Sequence, residues 1–220
     1  MQLFITDFKQ NDKIIISNPE ILEQTRKVLR MKIDKFFVQK EDTRYQLEIS
    51  SWDKFSITGK ILETILQTKD VSNKNIIVVA MPNKWSKAEL IVQKLSEIVD
   101  EIYFRPSERS VLKDWNNKKE RLQKISQEAV EQSRWKLPKI EFVKNIFPVL
   151  QNKKIIVFDM VDQKVIPSYD SQANIIVVPE FTQKDYESFK NFDLISLGDT
   201  VLRMETASIV AWSLRNLISL

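Results

Sequence analysis

Apolar positions along the chain change their period once, near residue 70. Before that point they alternate with polar ones in short runs at Leu3–Phe8, Lys13–Ser17, Lys35–Gln39, Tyr45–Ser50 and Ser56–Leu66, which predicts half-buried β-strands. One helix interrupts them from Pro19 to Arg30, with Asn18 placed to cap its N-terminus and Pro19 at its first position. The polar run Gln67–Asn75 predicts a linker.

After the linker the pattern lengthens. Ile76–Ala80 is a near-continuous apolar run bounded by Pro82, as expected of a strand buried on both faces. Lys84–Val99 carries Trp85, Ala88, Val92, Leu95 and Val99 at helical spacing, and Glu101–Phe104 reads as the next strand. A long helix is predicted from Asn117 to Arg134, with Leu122, Ile125, Ala129 and Val130 facing inward. Strands follow at Ile140–Val143, Ile155–Phe158, Ile175–Val178 and Leu194–Leu197, with helices at Gln183–Phe192 and Glu205–Ser219. This alternation predicts an α/β domain with a largely parallel sheet over residues 74–220, preceded by a small β-rich domain over residues 1–70. Ligands of such sheets bind beyond the carboxyl ends of the strands. The final helix is apolar nearly all round, which predicts that it meets both its own sheet and a second copy of the chain.

Composition sharpens the chemistry. The chain has two glycines in 220 residues, and one of them, Gly198, stands between a strand and the last helix. Glycine there marks backbone that must turn sharply or approach a ligand closely. The chain has no Cys and no His, which excludes disulfides, zinc sites of the usual ligand sets, thiolate nucleophiles and imidazole acid–base catalysis. It also excludes methylation of a pyrimidine carbon by prior addition of a cysteine, and leaves methyl transfer to nitrogen or oxygen open. No metal site is expected. Chemistry must come from carboxylates, Lys, Arg, Tyr, hydroxyls or a bound cofactor.

The formal net charge is +4, yet Arg105–Lys139 alone carries ten basic residues against five acidic ones. Such a stretch, with Trp115 and Trp135 within it, suits a polyphosphate partner, while a solvated helix face explains it equally well. No apolar run approaches the roughly 18–20 residues of a membrane span, and the N-terminus lacks a signal-peptide pattern, so the expected location is the cytoplasm.

Four segments, in order and spacing, resemble the SPOUT-class methyltransferases, and within them the RsmE-like family that methylates ring nitrogen 3 of a uridine in small-subunit (16S) ribosomal RNA. They are Gln93-Lys94-Leu95-Ser96-Glu97; Pro106-Ser107-Glu108-Arg109-Ser110; Ile125 to Arg134, followed by Pro138; and Leu197 to Ala207. The resemblance implies a PUA-like β-barrel that binds RNA, including Lys27-Val28-Leu29-Arg30, followed by a trefoil-knotted domain that works as a homodimer. It implies S-adenosylmethionine held by Val178, Pro179, Glu180, Leu197, Gly198, Leu202, Arg203 and Thr206. Arg134, Arg203 and Glu205 are the implied catalytic residues, with Arg26, Arg30, Arg109, Lys113, Lys118 and Lys119 on ribosomal RNA.

Simpler roles exist beside these. Glu205 near a helix N-terminus and Arg134 near a C-terminus both suit the helix macrodipole. Arg203 suits a structural ion pair, and both tryptophans suit packing. One departure bears on function: the family's Gly-Pro-Glu-Gly-Gly-Phe turn is replaced here by Val178-Pro179-Glu180-Phe181, without glycine. A rebuilt but working cofactor loop and a catalytically silent RNA-binding relative are both compatible with that change.

Overall fold

The computed structural model describes residues 2–11, 13–28, 35–41, 43–66, 74–107, 110–112, 117–150, 154–158, 175–178 and 192–217. Two compact units emerge, one formed by Met1–Asp70 with Glu131–Arg134, the other by Val71–Val130 with Trp135–Leu220.

The first unit is a six-stranded sheet that curls over one core. Its strands are β1 (Leu3–Ile5), β2 (Lys9–Gln10), β3 (Lys13–Ile16), β4 (Lys35–Lys40), β5 (Thr43–Trp52) and β6 (Ile57–Leu66), in the order β1-β4-β5-β6-β3-β2. The β1–β4 pair is parallel and the other pairs are antiparallel. Alternation places Phe4, Ile14, Ile16, Phe36, Val38, Leu47, Ile49 and Ile57 inside. Gly59 in β6 is a close-packing position, because a Cβ there would sit 3.0 Å from Leu47 Cδ1.

Asn18 caps helix α1 (Pro19–Glu23), its Oδ1 accepting from Glu20 N–H at 3.0 Å. The helix expected to run on to Arg30 does not continue in α form. It widens into a π-helical turn at Gln24–Val28. Thr25 Oγ1 donates toward Ile21 O at 2.7 Å and also lies 3.1 Å from Leu22 O, and this competing hydroxyl accounts for the widening.

The second unit is a parallel sheet with helices on its faces. Its strands are β7 (Ile76–Ala80), β8 (Glu101–Arg105), β9 (Lys139–Phe142), β10 (Ile155–Phe158), β11 (Ile175–Val178) and β12 (Asp193–Ile195), ordered β12-β10-β11-β7-β8-β9. Every pair is parallel, so all carboxyl ends reach one edge. Helices α2 (Trp85–Leu95), α3 (Lys119–Ser133) and α5 (Met204–Leu217) and the short α4 (Phe147–Leu150) complete the unit.

Alternate strand residues feed two cores, as a doubly covered sheet requires. Ile77, Val79, Ile102 and Phe104 join Ala88, Leu95, Leu122 and Trp212 on one side. Ile76, Val78, Tyr103, Ile155 and Val157 join Ile146 on the other. The expected helix over Gln183–Phe192 falls, Phe192 apart, outside the described residues, as do residues 179–181 of the first expected cofactor loop. No helix among the described residues is long and apolar enough to cross a membrane.

Candidate active site

Strand β12 ends at Ile195, two residues earlier than its apolar run predicts, because the chain turns on Ser196. Gly198 N–H donates to Ser196 Oγ at 3.2 Å, and that hydroxyl donates to Gly198 O at 3.1 Å. Gly198 has φ +118°, a conformation that suits glycine, and a Cβ there would meet no described atom within 4 Å. Among the described residues, the turn therefore opens onto space at the carboxyl edge. Leu197 and Leu202 are half-buried and pack against the core, while residues 198–201 are exposed between them. Two leucines anchor the loop, and its main chain is presented outward.

Arg203 begins the last helix. Its carbonyl accepts Ala207 N–H at 2.8 Å, and its side chain is exposed. Glu205, in the first turn of α5, points the other way and is nine-tenths buried. Lys87 Nζ, reaching across from α2, lies 3.3 Å from Glu205 Oε2. The distance is that of an ion pair, but the alignment is not that of a hydrogen bond, so Oε2 has no hydrogen-bond donor among the described residues. Thr206, the next residue, is exposed.

A hydroxyl junction ties the neighbouring strands together at the same edge. Met81 N–H donates to Arg105 O at 2.7 Å, joining the ends of β7 and β8. Buried Ser110 donates its one hydroxyl hydrogen to Met81 O at 3.1 Å and accepts from Ser107 N–H at 2.8 Å. The 3.1 Å contact between the Ser107 and Ser110 hydroxyls must then be a donation from Ser107.

The remaining candidates are scattered. Val178 ends β11, whereas Pro179, Glu180, Arg30, Arg109 and Lys113 lie outside the described residues. Lys118 and Lys119 open α3, the first half-buried and the second exposed. Arg134 belongs to the first unit, while Arg203 and Glu205 belong to the second. It is exposed at φ +60°, the left-handed residue just past α3, a position glycine usually fills. Burial first, and the charge of Arg134 second, hold the Arg44 guanidinium below its ordinary pKa. Arg26 is taken up by the fold of the first unit, where its guanidinium donates to the carbonyls of Asp53 and Lys54. Among the described residues, no cluster of three or more acidic side chains is placed to hold a metal ion.

Comparison with known proteins decides the family. The sequence profile of the RNA methyltransferase domain matches residues 70–216. The chain belongs to that family. No curated protein matches it in sequence. Among solved structures, the probable rRNA-methyltransferase of Porphyromonas gingivalis is similar at 24% identity and TM-score 0.78, with 99% of this chain and 98% of that one covered. The ribosomal RNA small subunit methyltransferase E of Neisseria gonorrhoeae, solved bound to S-adenosyl methionine, is similar at 19% identity and TM-score 0.76, covering 99% and 98%. A methyltransferase candidate from Legionella pneumophila, solved with bound SAM, gives 21% and 0.76, covering 98% and 96%. The fold is that of the RsmE-like SPOUT structures, a curled half-barrel sheet followed by a parallel sheet.

For this RNA methyltransferase domain, sequence reasoning missed two features of the edge. Lys87 sits on the half-buried side of an ordinary amphipathic helix, 118 positions from Glu205, and no local signal pairs them. Ser110 could be noticed only as part of the Pro106–Ser110 motif, because burial of a lone hydroxyl leaves no periodic trace.

Proposed function

We propose that the chain is an S-adenosylmethionine-dependent methyltransferase acting on ring nitrogen 3 of a uridine in small-subunit ribosomal RNA, working as a cytoplasmic homodimer. The observation that carries this reading is the loop 196–203, which supplies a glycine-opened cradle at the carboxyl edge of a parallel sheet, two anchoring leucines, and a cation and a carboxylate at the start of the following helix.

The residues present fit the cofactor. The space beside Gly198 is where a Cβ would intrude, and residues 198–201 are exposed there, so their main-chain groups are placed to read an adenine edge. Val178, Pro179, Glu180, Leu197, Gly198, Leu202, Arg203 and Thr206 would hold it. When bound, S-adenosylmethionine supplies an electrophilic methyl group.

The protein's own task is modest. Attack by a uridine nitrogen needs in-line positioning and loss of a weakly acidic ring proton. Arg203, exposed at the head of α5, favours the uridine anion. Glu205 accepts the proton or orients the cation, and Lys87 holds its carboxylate in place. Arg134 enters the catalytic set on its motif match alone.

In this reading residues 1–70 form the PUA-like RNA-binding domain and residues 74–220 the methyltransferase domain. Arg109, Lys113, Lys118 and Lys119 belong to the basic surface that contacts phosphates, with Arg30 on the small domain. Ile209, Val210 and Leu214 of α5 are only half-buried within one chain, which supports α5 as the dimer face.

The glycine-free run Val178–Phe181 favours a second reading, a catalytically silent relative that binds RNA without the cofactor. Calorimetric titration with S-adenosylmethionine separates the two. A methyltransferase gives saturable heat, and Gly198→Ala weakens it about tenfold or more through strain at a positive φ. Absence of heat and of any thermal shift at saturating cofactor would leave only the silent relative.

A further inference from the structure

The tip of the β5–β6 hairpin, Asp53–Ser56, exposes a ring on a fixed base. Phe55 is 71% exposed, well beyond Phe147 at 46%, the other strongly exposed Phe among the described residues. Single exposed apolar side chains are ordinary on protein surfaces. Here, however, the backbone beneath the ring is held rigid by many bonds. Asp53 accepts from Phe55 N–H at 2.6 Å, from Ser56 N–H at 2.7 Å and from the Ser56 hydroxyl at 2.6 Å, while its own N–H donates to Ser56 O at 3.1 Å.

From outside the hairpin, Arg26 donates to Lys54 O at 3.2 Å and to Asp53 O, and its guanidinium lies 5.8 Å from the centre of the Trp52 ring. Lys54 Nζ stands 5.3 Å from the centre of the Phe55 ring.

The exposed Asp53 carboxylate accepts from three donors of the turn itself, with the Ser56 hydroxyl foremost among those that hold it below the usual carboxylate range. Lys54 and Arg26 set two exposed cations beside that one anion. A pre-set aromatic face flanked by cations is the arrangement on which bases of single-stranded nucleic acid stack, since every base has a π-face and every link carries a phosphate. An anionic protein partner would use the cations but would not require a flat ring. A lipid surface would require more than one apolar side chain.

We propose that this hairpin tip is a base-stacking platform for a single-stranded segment of the RNA substrate, with Phe55 as the stacking face, Lys54 as the phosphate contact and Arg26 as the strut that fixes the turn. The proposal rests on the reading that the substrate is RNA, and it gives Arg26 a holding role where the motif resemblance implied direct RNA contact. Because the tip is ordered in advance, little conformational freedom is lost on binding.

The test is fluorescence anisotropy of an end-labelled oligouridylate titrated with the full-length chain. Phe55→Ala and Phe55→Leu are both expected to weaken binding about 5- to 150-fold, because leucine keeps apolar area but not a stacking face, while Phe55→Tyr binds like the parent. Lys54→Ala lowers the slope of log affinity against log salt by about 0.7. An unchanged urea midpoint confirms that the exposed substitutions leave the fold intact. Binding of Phe55→Ala within about twofold of a parent that does bind the oligonucleotide, or strong binding by Phe55→Leu, overturns the platform and leaves the functional reading standing. A parent chain that binds neither oligouridylate nor a small-subunit ribosomal RNA fragment overturns both.

Discussion

At the scale of single residues, the proposed site pairs a carboxylate in the first turn of one helix with a lysine from another. Glu205 is nine-tenths buried, and Lys87 Nζ, 3.3 Å away, is the cation facing it. If Glu205 serves the proton transfer, Glu205→Gln should lower kcat about 10²- to 10⁴-fold with little change in KM for RNA. Lys87→Met should lower kcat in the same direction but less, and Lys87→Arg should restore part of it. Single-turnover methylation with each variant checks this. Equal kcat for Glu205→Gln and the parent would remove the carboxylate from the chemistry. Glu205 was legible in the sequence through its motif, whereas Lys87 was not, since pairing across 118 positions depends on how α2 packs on α5 and leaves no mark in either helix's own pattern.

Among elements, the chain was most readable where burial is most uniform. The apolar run Ile76–Ala80 became β7 with the bounds expected, because a strand covered on both faces allows no polar position. It was least readable where a hydroxyl decides the backbone. Thr25 turns α1 into a π-helical turn, and Ser196 ends β12 early. Ser126, polar and therefore assigned to no buried face, is buried at the α3 interface with its hydroxyl 2.8 Å from that of Ser96. Ser126→Ala should cost about 1–3 kcal/mol in urea unfolding by leaving one buried hydroxyl unpaired, and the Ser96→Ala/Ser126→Ala double variant should cost less than the sum of the singles. Additive losses would mean that the two hydroxyls do not act as a pair.

Strand β8 carries a second polar device at its amino end. Burial raises the pKa of Glu101, but the bonds from Lys74 Nζ at 2.5 Å and Tyr103 Oη at 2.6 Å outweigh it and leave the carboxyl below its ordinary range. The folded value thus lies below the unfolded value of about 4.3. The stabilisation is present above that value and is lost as pH falls through the folded pKa. Urea midpoints measured from neutral pH down to about pH 3 should fall in the parent. They should fall less steeply in Lys74→Met, where burial is opposed by one bond fewer. Parallel curves for the two proteins would show that the ion pair contributes nothing to the acid limb.

On the scale of the whole molecule, the chain holds two units of different architecture, and the proposed function assigns RNA to the curled sheet and the nucleoside cofactor to the carboxyl edge of the parallel sheet. The half-buried apolar positions of α5 predict a chain that sediments at twice its own mass, and charged residues at Ile209 and Val210 should return it to the monomer. Both architectures were legible from the change of hydrophobic period near residue 70. What composition could not supply was the reaction, which enters through the loop 196–203 and the family to which residues 70–216 belong. The most direct measurement is transfer of an isotope-labelled methyl group from S-adenosylmethionine to small-subunit ribosomal RNA, followed by mass spectrometry of the released nucleosides. The account predicts label in a single nucleoside, uridine heavier by one methyl on ring nitrogen 3, and less of it with Gly198→Ala at cofactor concentrations below saturation. RNA bound by the chain but left unlabelled, or label on a pyrimidine carbon, would contradict it.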